Sequence, residues 1–306
     1  MFKKFIILFS ILIVLSISLI GCTSNTSETV LEKSSELEDK INIVTTFYPL
    51  YDFAEKIGGE YVNVQNLVPT GVEPHDWTPK TRDMIKITEA DMFIYNGLGF
   101  ESWIESFFSS FETDSSTEFV EASLGAHIIE SEDTNDPHIW LSPVQAKTLA
   151  ENIKQGLIKI DPDHKDEYEE RFIELSTQLD DLHMKYQDVL GNVSRNEFVV
   201  SHQAFGYLAN EYELTQKSIM GLSTDAEPTI QDYKNISVYI RENDIQYILF
   251  EELVSPKLAE TLAKDLNIET LVLNPLEGLT EEQAKNSDDY FTIMESNLTS
   301  LEKALQ

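Results

Sequence analysis

The segment DPDHKDEYEERFIELSTQLDDLHMKYQDVLGN, Asp161 to Asn192, carries an uninterrupted helical pattern. Pro162 suits a first helical turn and Gly191 suits a C-terminal stop, and no other proline or glycine lies between them. Apolar residues recur every three or four positions and form one face: Tyr168, Phe172, Leu175, Leu179, Leu182, Tyr186 and Leu190. The pattern predicts a helix of roughly 28 residues, about 42 Å long, which can join two lobes rigidly.

Short runs of β-branched and aromatic residues lie on both sides of this helix, with helix-like segments between them. Four runs precede it: INIVTT from Ile41, VNVQNL from Val62, MFIYN from Met92 and EFVEA from Glu118. Four follow it: FVVSH from Phe198, KSIMGL from Lys217, YILFEE from Tyr247 and TLVLNPL from Thr270. Alternating strands and helices are typical of parallel sheets, and the two series have similar spacing. We therefore predict an α/β protein with two similar parallel-sheet lobes, residues 41–160 and 193–306, joined by helix 161–192.

The N-terminus has the charge order of a secretory signal. Lys3 and Lys4 precede an apolar stretch from Phe5 to Ile20, which is short for a helix that stays in a bilayer. Cys22, the only cysteine of the chain, follows directly and resembles the lipidated residue of a bacterial lipoprotein. We predict a signal peptide over residues 1–21, lipidation of Cys22 and a polar, flexible tether over residues 22–40.

The net charge of the chain argues against anionic binding partners. With 22 basic and 54 acidic residues, the net charge of −32 disfavours nucleic acid and direct adhesion to anionic lipid. Cationic ligands are compatible with it, although a solvated acidic surface accounts for most of the charge.

Three of the six histidines lie where a parallel sheet would bind a ligand. His75 is in the Pro- and Gly-rich loop VPTGVEPHDWTP, His138 is in NDPHIWLSP, and His202 ends the strand-like run at Phe198. Ligands of open parallel sheets bind outside the carboxyl ends of the strands, so these three side chains are expected on one rim or on facing rims. Each of them, taken singly, could instead be a capping or core histidine.

The other histidines have weaker positions. His164 and His183 belong to the long helix and are expected at a solvated surface. His127 lies in the acidic stretch LGAHIIESEDTND, within a loop that we predict between Glu112 and Asp136, where metal contact is a lesser alternative.

The chemistry of these residues favours a metal site over a catalytic one. Neutral imidazole is the commonest metal ligand in proteins, and about four N or O donors complete a zinc shell. No cysteine nucleophile, HExxH motif, Gly-x-Ser-x-Gly elbow, GxGxxG fingerprint or Walker loop is present in the sequence.

From Ile41 to the C-terminus, the chain resembles the zinc and manganese solute-binding lipoproteins of bacterial ABC importers. The resemblance lies in TTFYPLYDFAEKIGG, VPTGVEPHDWTP, ADMFIYNGLGFESW, DPHIWLSP, SHQAFGYLANEY and FEELVSPKLAETLAKDLNIETLVLNPLEGLT, which stand in family order. It implies two α/β lobes, a rigid linking helix and one metal ion in the cleft. His75 and His138 would be ligands from the N-terminal lobe, and His202 from the C-terminal lobe.

The fourth ligand differs from that of many members of the family. Their DPL aspartate is replaced here by Asn274, whereas Glu277 resembles the glutamate of zinc-specific members that read NPLE. We predict Glu277 as the ligand, with the Asn274 carbonyl, or water with Glu251 in an outer position, as alternatives.

The resemblance implies a monomeric, lipid-anchored, extracytoplasmic receptor that is not an enzyme and that delivers Zn²⁺ to an ABC permease and its ATPase. Manganese is the alternative cargo. A zinc-dependent hydrolase with Glu251 or Glu252 as general base is a further alternative, and a surface adhesin is a third.

Overall fold

The computed structural model describes residues 40–110, 116–129, 135–222 and 228–306. The predicted signal peptide, Cys22 and the tether up to residue 39 lie outside the described residues, so those predictions stay open. Within the described ranges, no helix is both long and apolar enough to cross a membrane.

The first lobe is a parallel sheet with helical crossovers. Its elements are β1 Ile41–Thr45, α1 Tyr48–Gly58, β2 Val62–Asn66, α2 Thr81–Glu89, β3 Met92–Tyr95, α3 Ile104–Ser110 and β4 Glu118–Glu121. The strand order is β2-β1-β3-β4, and every pair is parallel. The central strands β1 and β3 are mostly buried, which explains their apolar runs. Strand β4 confirms the strand-like run predicted from Glu118, which lies within the segment from Glu112 to Asp136.

Two helices follow the first sheet. They are α4 Pro143–Ile160 and α5 Lys165–Leu190, with a short 3₁₀ turn between them at Pro162–His164. Helix α5 confirms the predicted linking helix, and its 26 residues span about 39 Å. The predicted apolar face is buried except at Phe172, which is half-buried and lies under the Lys154 ammonium, 4.3 Å from the ring centroid.

The second lobe repeats the topology of the first. Its elements are β5 Glu197–Val200, α6 Gly206–Glu211, β6 Thr215–Ser218, α7 Ile230–Glu242, β7 Tyr247–Phe250, α8 Lys257–Leu266 and β8 Glu269–Val272. The strand order is β6-β5-β7-β8, again all parallel. The predicted two-lobe α/β fold is thus confirmed.

One strand begins earlier than the sequence predicts. Strand β6 starts at Thr215, whose amide donates to Asn196 O (2.8 Å), rather than at Lys217. It is an edge strand in which Thr215 and Lys217 are exposed and Gln216 and Ser218 are half-buried. Its residues are therefore polar, and the apolar signal comes only afterwards, from Ile219.

The C-terminal helices return from the second lobe to the first. They are α9 Glu281–Asn286 and α10 Tyr290–Leu305. Tyr290 is fully buried, packs 5.0 Å from the Phe53 ring and donates its hydroxyl to Trp140 O (2.7 Å). Tyr186 of α5 donates to Met294 O of α10 (2.6 Å). A single hydrophobic core therefore runs from the first lobe through α5 into the second.

The two histidines near the linking helix are partly exposed rather than fully solvated. The His164 ring is half-buried, stacks on Tyr61 at 3.9 Å and lies 2.7 Å from Asp161 Oδ2. His183 is also half-buried, with Nδ1 3.2 Å from the Tyr212 hydroxyl. Aromatic neighbours on the adjoining elements cover both rings, a feature that helical periodicity alone does not reveal.

Candidate metal centre

Four side chains from both lobes converge where the strands end. His75 follows β2 and His138 follows β4 in the first lobe, whereas His202 follows β5 and Glu277 follows β8 in the second. Their ligand atoms all lie within 4.8 Å of one another. The rims of the two sheets therefore face each other across one small cluster. This agrees with the carboxyl-end rule, by which ligands bind outside the carboxyl ends of parallel strands.

The distances within this cluster fit a tetrahedron. The Nε2 atom of His138 lies 3.3 Å from Nε2 of His75 and 3.3 Å from Nε2 of His202. Glu277 Oε1 lies 3.3, 3.2 and 3.5 Å from Nε2 of His75, His138 and His202, respectively. A tetrahedral zinc ion with bonds of about 2.0–2.1 Å separates its ligands by roughly 3.3 Å. Five of the six separations among the four atoms thus match those of a tetrahedral zinc shell, and the sixth, between His75 and His202, lies within 4.8 Å.

The cluster is closed to solvent. The side chains of His138, His202 and Glu277 are 0% exposed, and that of His75 is 8% exposed. The polar neighbours of Glu277 Oε1 are the three imidazole Nε2 atoms, and Oε2 has no hydrogen-bond partner. A buried carboxylate is costly unless positive charge compensates it, so the donor set fits a metal ion.

A carboxylate orients the imidazole of His138. Asp136 Oδ1 lies 2.8 Å from His138 Nδ1 and also accepts from the His138 backbone amide (3.0 Å). An Nδ1–H bond to a carboxylate leaves the Nε2 lone pair free for a metal. Two imidazole lone pairs only 3.3 Å apart repel each other unless a cation lies between them.

Glu251 has the same role for His202. Its Oε2 atom lies 2.6 Å from His202 Nδ1, and its Oε1 atom accepts from the Ser201 hydroxyl. Glu251 and His202 are almost fully buried. The Ser201 hydroxyl bonds the carboxylate, the carboxylate lies against Nδ1 of the ring, and Nε2 of His202 faces the cluster.

Ionisable groups in the cluster perturb one another. Burial disfavours the charged form of both rings, but Asp136 and Glu277 raise the pKa of His138, and Glu251 and Glu277 raise that of His202 well above its ordinary value. Although burial alone would raise the pKa of Glu277, the three histidines hold it well below its usual range. Burial and the neighbouring Glu277 carboxylate raise the pKa of Glu73 to about 10. Without a metal, the cluster thus retains protons that a bound cation would displace.

A tight turn aims Glu277 into the cluster, and Asn274 builds that turn. Asn274 Oδ1 accepts from the Leu276 amide (2.7 Å), and its Nδ2 donates to Glu252 Oε2 (2.8 Å). Leu276 has a φ of 59°, a left-handed conformation that costs a leucine roughly 1–2 kcal/mol. The backbone carbonyl of Asn274 also accepts from Asn297 Nδ2 (2.7 Å), so both of its oxygens are engaged by other donors.

The other predicted candidates have different surroundings. His127 is exposed, its backbone amide donates to Gln145 Oε1 (3.2 Å), and its ring lies outside the cluster. Glu252 is held by Asn274 and by Gln283 Nε2 (2.7 Å).

Sequence reasoning missed the acids that precede two of the histidines. Glu73-Pro74-His75 and Asp136-Pro137-His138 share one spacing, and in both the carboxylate accepts the amide of its histidine, at 3.1 and 3.0 Å. This repeated acid-Pro-His pattern was visible in the sequence.

The fold and the cluster together define a two-lobe protein with four potential metal ligands between its lobes. The family model described as "ZnuA: Zinc-uptake complex component A periplasmic" matches residues 43–304. The chain belongs to this family. It is 39% identical over 282 residues to the high-affinity zinc uptake system protein ZnuA of Bacillus subtilis (strain 168), covering 87% of this chain and 88% of that protein.

A further relative and a solved structure of its ZnuA-like domain extend the comparison. The zinc-binding lipoprotein AdcA of Streptococcus pneumoniae (strain R6) is 38% identical over 282 residues, which cover 88% of this chain and 56% of AdcA. The chain thus spans about half the length of that relative. The crystal structure of the Zn(II)-bound ZnuA-like domain of S. pneumoniae AdcA has a TM-score of 0.79 and 38% identity, and the match covers 87% of this chain and 99% of that one.

Proposed function

We propose that the protein captures Zn²⁺ outside the cytoplasm through His75, His138, His202 and Glu277, and passes it to the permease of an ABC importer driven by an ATPase. The observation that carries the proposal is the convergence of three Nε2 atoms and one carboxylate oxygen at tetrahedral spacing. The zinc-related names of the relatives, and the family's description as a zinc-uptake component, support the same cargo.

The donor set favours zinc over manganese. Manganese prefers oxygen ligands and octahedral geometry, whereas three nitrogens and one oxygen suit tetrahedral zinc. Asn274, the position at which a second carboxylate would stand, is engaged in the turn before Glu277. Manganese is therefore the weaker alternative for this site.

The division of ligands between the lobes suits reversible capture. Each lobe supplies two ligands, so a separation of the two rims breaks the shell without unfolding either sheet. Trp140 of the first lobe donates to Pro275 O of the second (2.7 Å), and the Gly71 amide donates to Leu279 O (2.8 Å). These bonds hold the closed arrangement, and their loss would accompany release.

A hydrolytic function has less support. A catalytic zinc site needs an open coordination position beside a general base. Glu251 is engaged by Ser201 and His202, and Glu252 is engaged by Asn274 and Gln283. We therefore propose a binding protein rather than an enzyme; the adhesin interpretation stays a prediction.

The binding function is tested by titrating metal-stripped protein with zinc. One ion per chain and a large rise in melting temperature are expected, because ligand at 1,000 times the dissociation constant stabilises the fold by about 4 kcal/mol. An unchanged melting temperature at saturating zinc would reject the proposal.

Membrane anchoring through Cys22 is a separate part of the proposal. Cys22→Ser is expected to release protein from membranes or to leave unprocessed precursor, while the zinc affinity of the purified protein stays unchanged. Acylation of the variant would contradict the assignment of this cysteine as the anchor.

A further inference from the structure

Tyr207 of the second lobe reaches the loop that carries His138 in the first lobe. Its hydroxyl donates to the backbone carbonyl of Asp136 (2.9 Å) and accepts from the Ile129 amide (3.1 Å). Ile129 O also accepts from the Asp136 amide (3.1 Å). One phenol from the opposite lobe therefore ties together both ends of the segment that leads into His138.

The adjoining glycine brings the lobes close enough for this contact. A Cβ atom at Gly206 would overlap Asp136 Oδ2, so any larger residue there would displace the Asp136 carboxylate from its position against helix α6. The other oxygen of that carboxylate orients His138 through Nδ1. Asp136 is thus held from the second lobe at its carbonyl and confined there at its carboxylate, while it fixes a candidate ligand of the first lobe.

The same short segment also carries the second lobe's own histidine. His202 and Tyr207 are five residues apart. His202 contacts His138 across the cluster, whereas Tyr207 contacts Asp136 in the loop that carries His138, here called the His138 loop. Tyr207 is 3% exposed, and its buried hydroxyl has two partners that would both lose a hydrogen bond without it.

We propose that Tyr207 is a positioning residue of the metal site: it acts as a latch that holds the backbone of Asp136, whose carboxylate orients His138, against the lobe that carries His202 and Glu277. This inference rests on the proposed capture of zinc. The latch slows zinc release, because the shell cannot open between the lobes while the hydroxyl holds the His138 loop against α6.

The test is Tyr207→Phe in the full chain, with the zinc dissociation rate measured by mixing the zinc-loaded protein with excess chelator. Loss of two buried hydrogen bonds predicts a roughly tenfold faster dissociation. Tyr212→Phe is the matched control, since its hydroxyl contacts His183 on the linking helix and not the His138 loop. The control is expected to change the rate by less than about twofold.

Equal rates for Tyr207→Phe and Tyr212→Phe would overturn the latch while leaving zinc capture intact, whereas absence of zinc binding in the unaltered protein would overturn the proposed function itself. Gly206→Ala provides an independent route, because its methyl group displaces the Asp136 carboxylate; unchanged zinc dissociation in this variant would also contradict the latch.

A double-mutant cycle separates a positioning role from general stabilisation. If Tyr207 acts through Asp136, the effect of Tyr207→Phe on zinc dissociation should shrink in an Asp136→Ala background. Asp136→Ala keeps the backbone carbonyl that accepts from Tyr207, so fully additive effects would mean that the phenol does not position His138 through the Asp136 carboxylate and would contradict the positioning role.

Discussion

The two lobes share a topology and a buried hydroxyl–carboxylate pair, but they use that pair differently. In the first lobe, Thr46 follows β1 and donates to Glu101 Oε1 (2.6 Å). In the second lobe, Ser201 follows the equivalent strand β5 and donates to Glu251 Oε1. Both carboxylates follow the third strand of their lobe, and both residues are at most 5% exposed.

The remaining partners of the two carboxylates differ. Glu101 accepts from the amides of Asn96 (2.7 Å) and Gly97 (3.1 Å), and so fixes a loop of its own lobe. Glu251 instead faces His202 Nδ1. The residue that follows Thr46 is Phe47, which packs 4.6 Å from Trp140 in the core, whereas the residue that follows Ser201 is His202. One scaffold thus supplies a structural carboxylate in the first lobe and a ligand-orienting carboxylate in the second.

The largest expected effect is the loss of a ligand from the second lobe. His202→Ala should weaken zinc binding by more than about 100-fold, since removal of a residue that merely orients a ligand already costs 10–100-fold. His127→Ala is the matched control, because this exposed ring lies outside the cluster. Competition titration with a chelator of known affinity measures both; an unchanged affinity for His202→Ala would refute the site.

A smaller effect on zinc affinity distinguishes Glu251 from Glu101. Glu251→Gln should weaken zinc by roughly 10- to 100-fold, because it weakens the hold on His202. Glu101→Gln should leave zinc affinity within about threefold and lower the free energy of unfolding by about 1–3 kcal/mol, because it disturbs buried bonds to backbone amides. Zinc titrations of both variants measure the zinc affinities, and denaturant unfolding of the metal-free variants measures the free energies of unfolding. Equal losses of zinc affinity would show that the lobes do not differ as described.

Acidification should raise the thermal stability of the metal-free protein and weaken its affinity for zinc. The pKa values of His138 and His202 are higher in the metal-free folded protein than in the unfolded chain, where they are about 6.5. Protonation of these residues therefore stabilises the fold fully below about pH 6.5, and this contribution is lost as the pH rises through the pKa values of the folded protein. Between pH 8 and 6.5, the metal-free protein should therefore gain thermal stability as pH falls, while protons compete increasingly with zinc. A zinc affinity that stays constant from pH 7.5 to 5.5 would be incompatible with histidine ligands.

The smallest effect concerns Asn274. Asn274→Asp places a second carboxylate against Glu252 Oε2, where the amide now donates, so it should lower unfolding free energy by about 1 kcal/mol and melting temperature by roughly 2–4 °C. Zinc should remain preferred over manganese in this variant. A clear gain of manganese binding would mean that position 274 can reach the cluster.

The sequence predicted the lobes and the cluster because both follow from local patterns. Buried parallel strands leave apolar runs, and histidines at strand ends follow the carboxyl-end rule. The edge strand at Thr215 and the burial of His164 were not predictable in this way, because they depend on neighbouring elements. Tyr207 and Glu101 were missed for the same reason: their partners lie 71 and 55 residues away in the chain.

X-ray absorption at the zinc edge of the loaded protein tests most directly whether both lobes complete one closed shell. The account predicts three imidazole nitrogens and one carboxylate oxygen at about 2.0–2.1 Å, with one nitrogen lost in His202→Ala. A six-coordinate, oxygen-rich shell, or a spectrum unchanged by His202→Ala, would contradict it.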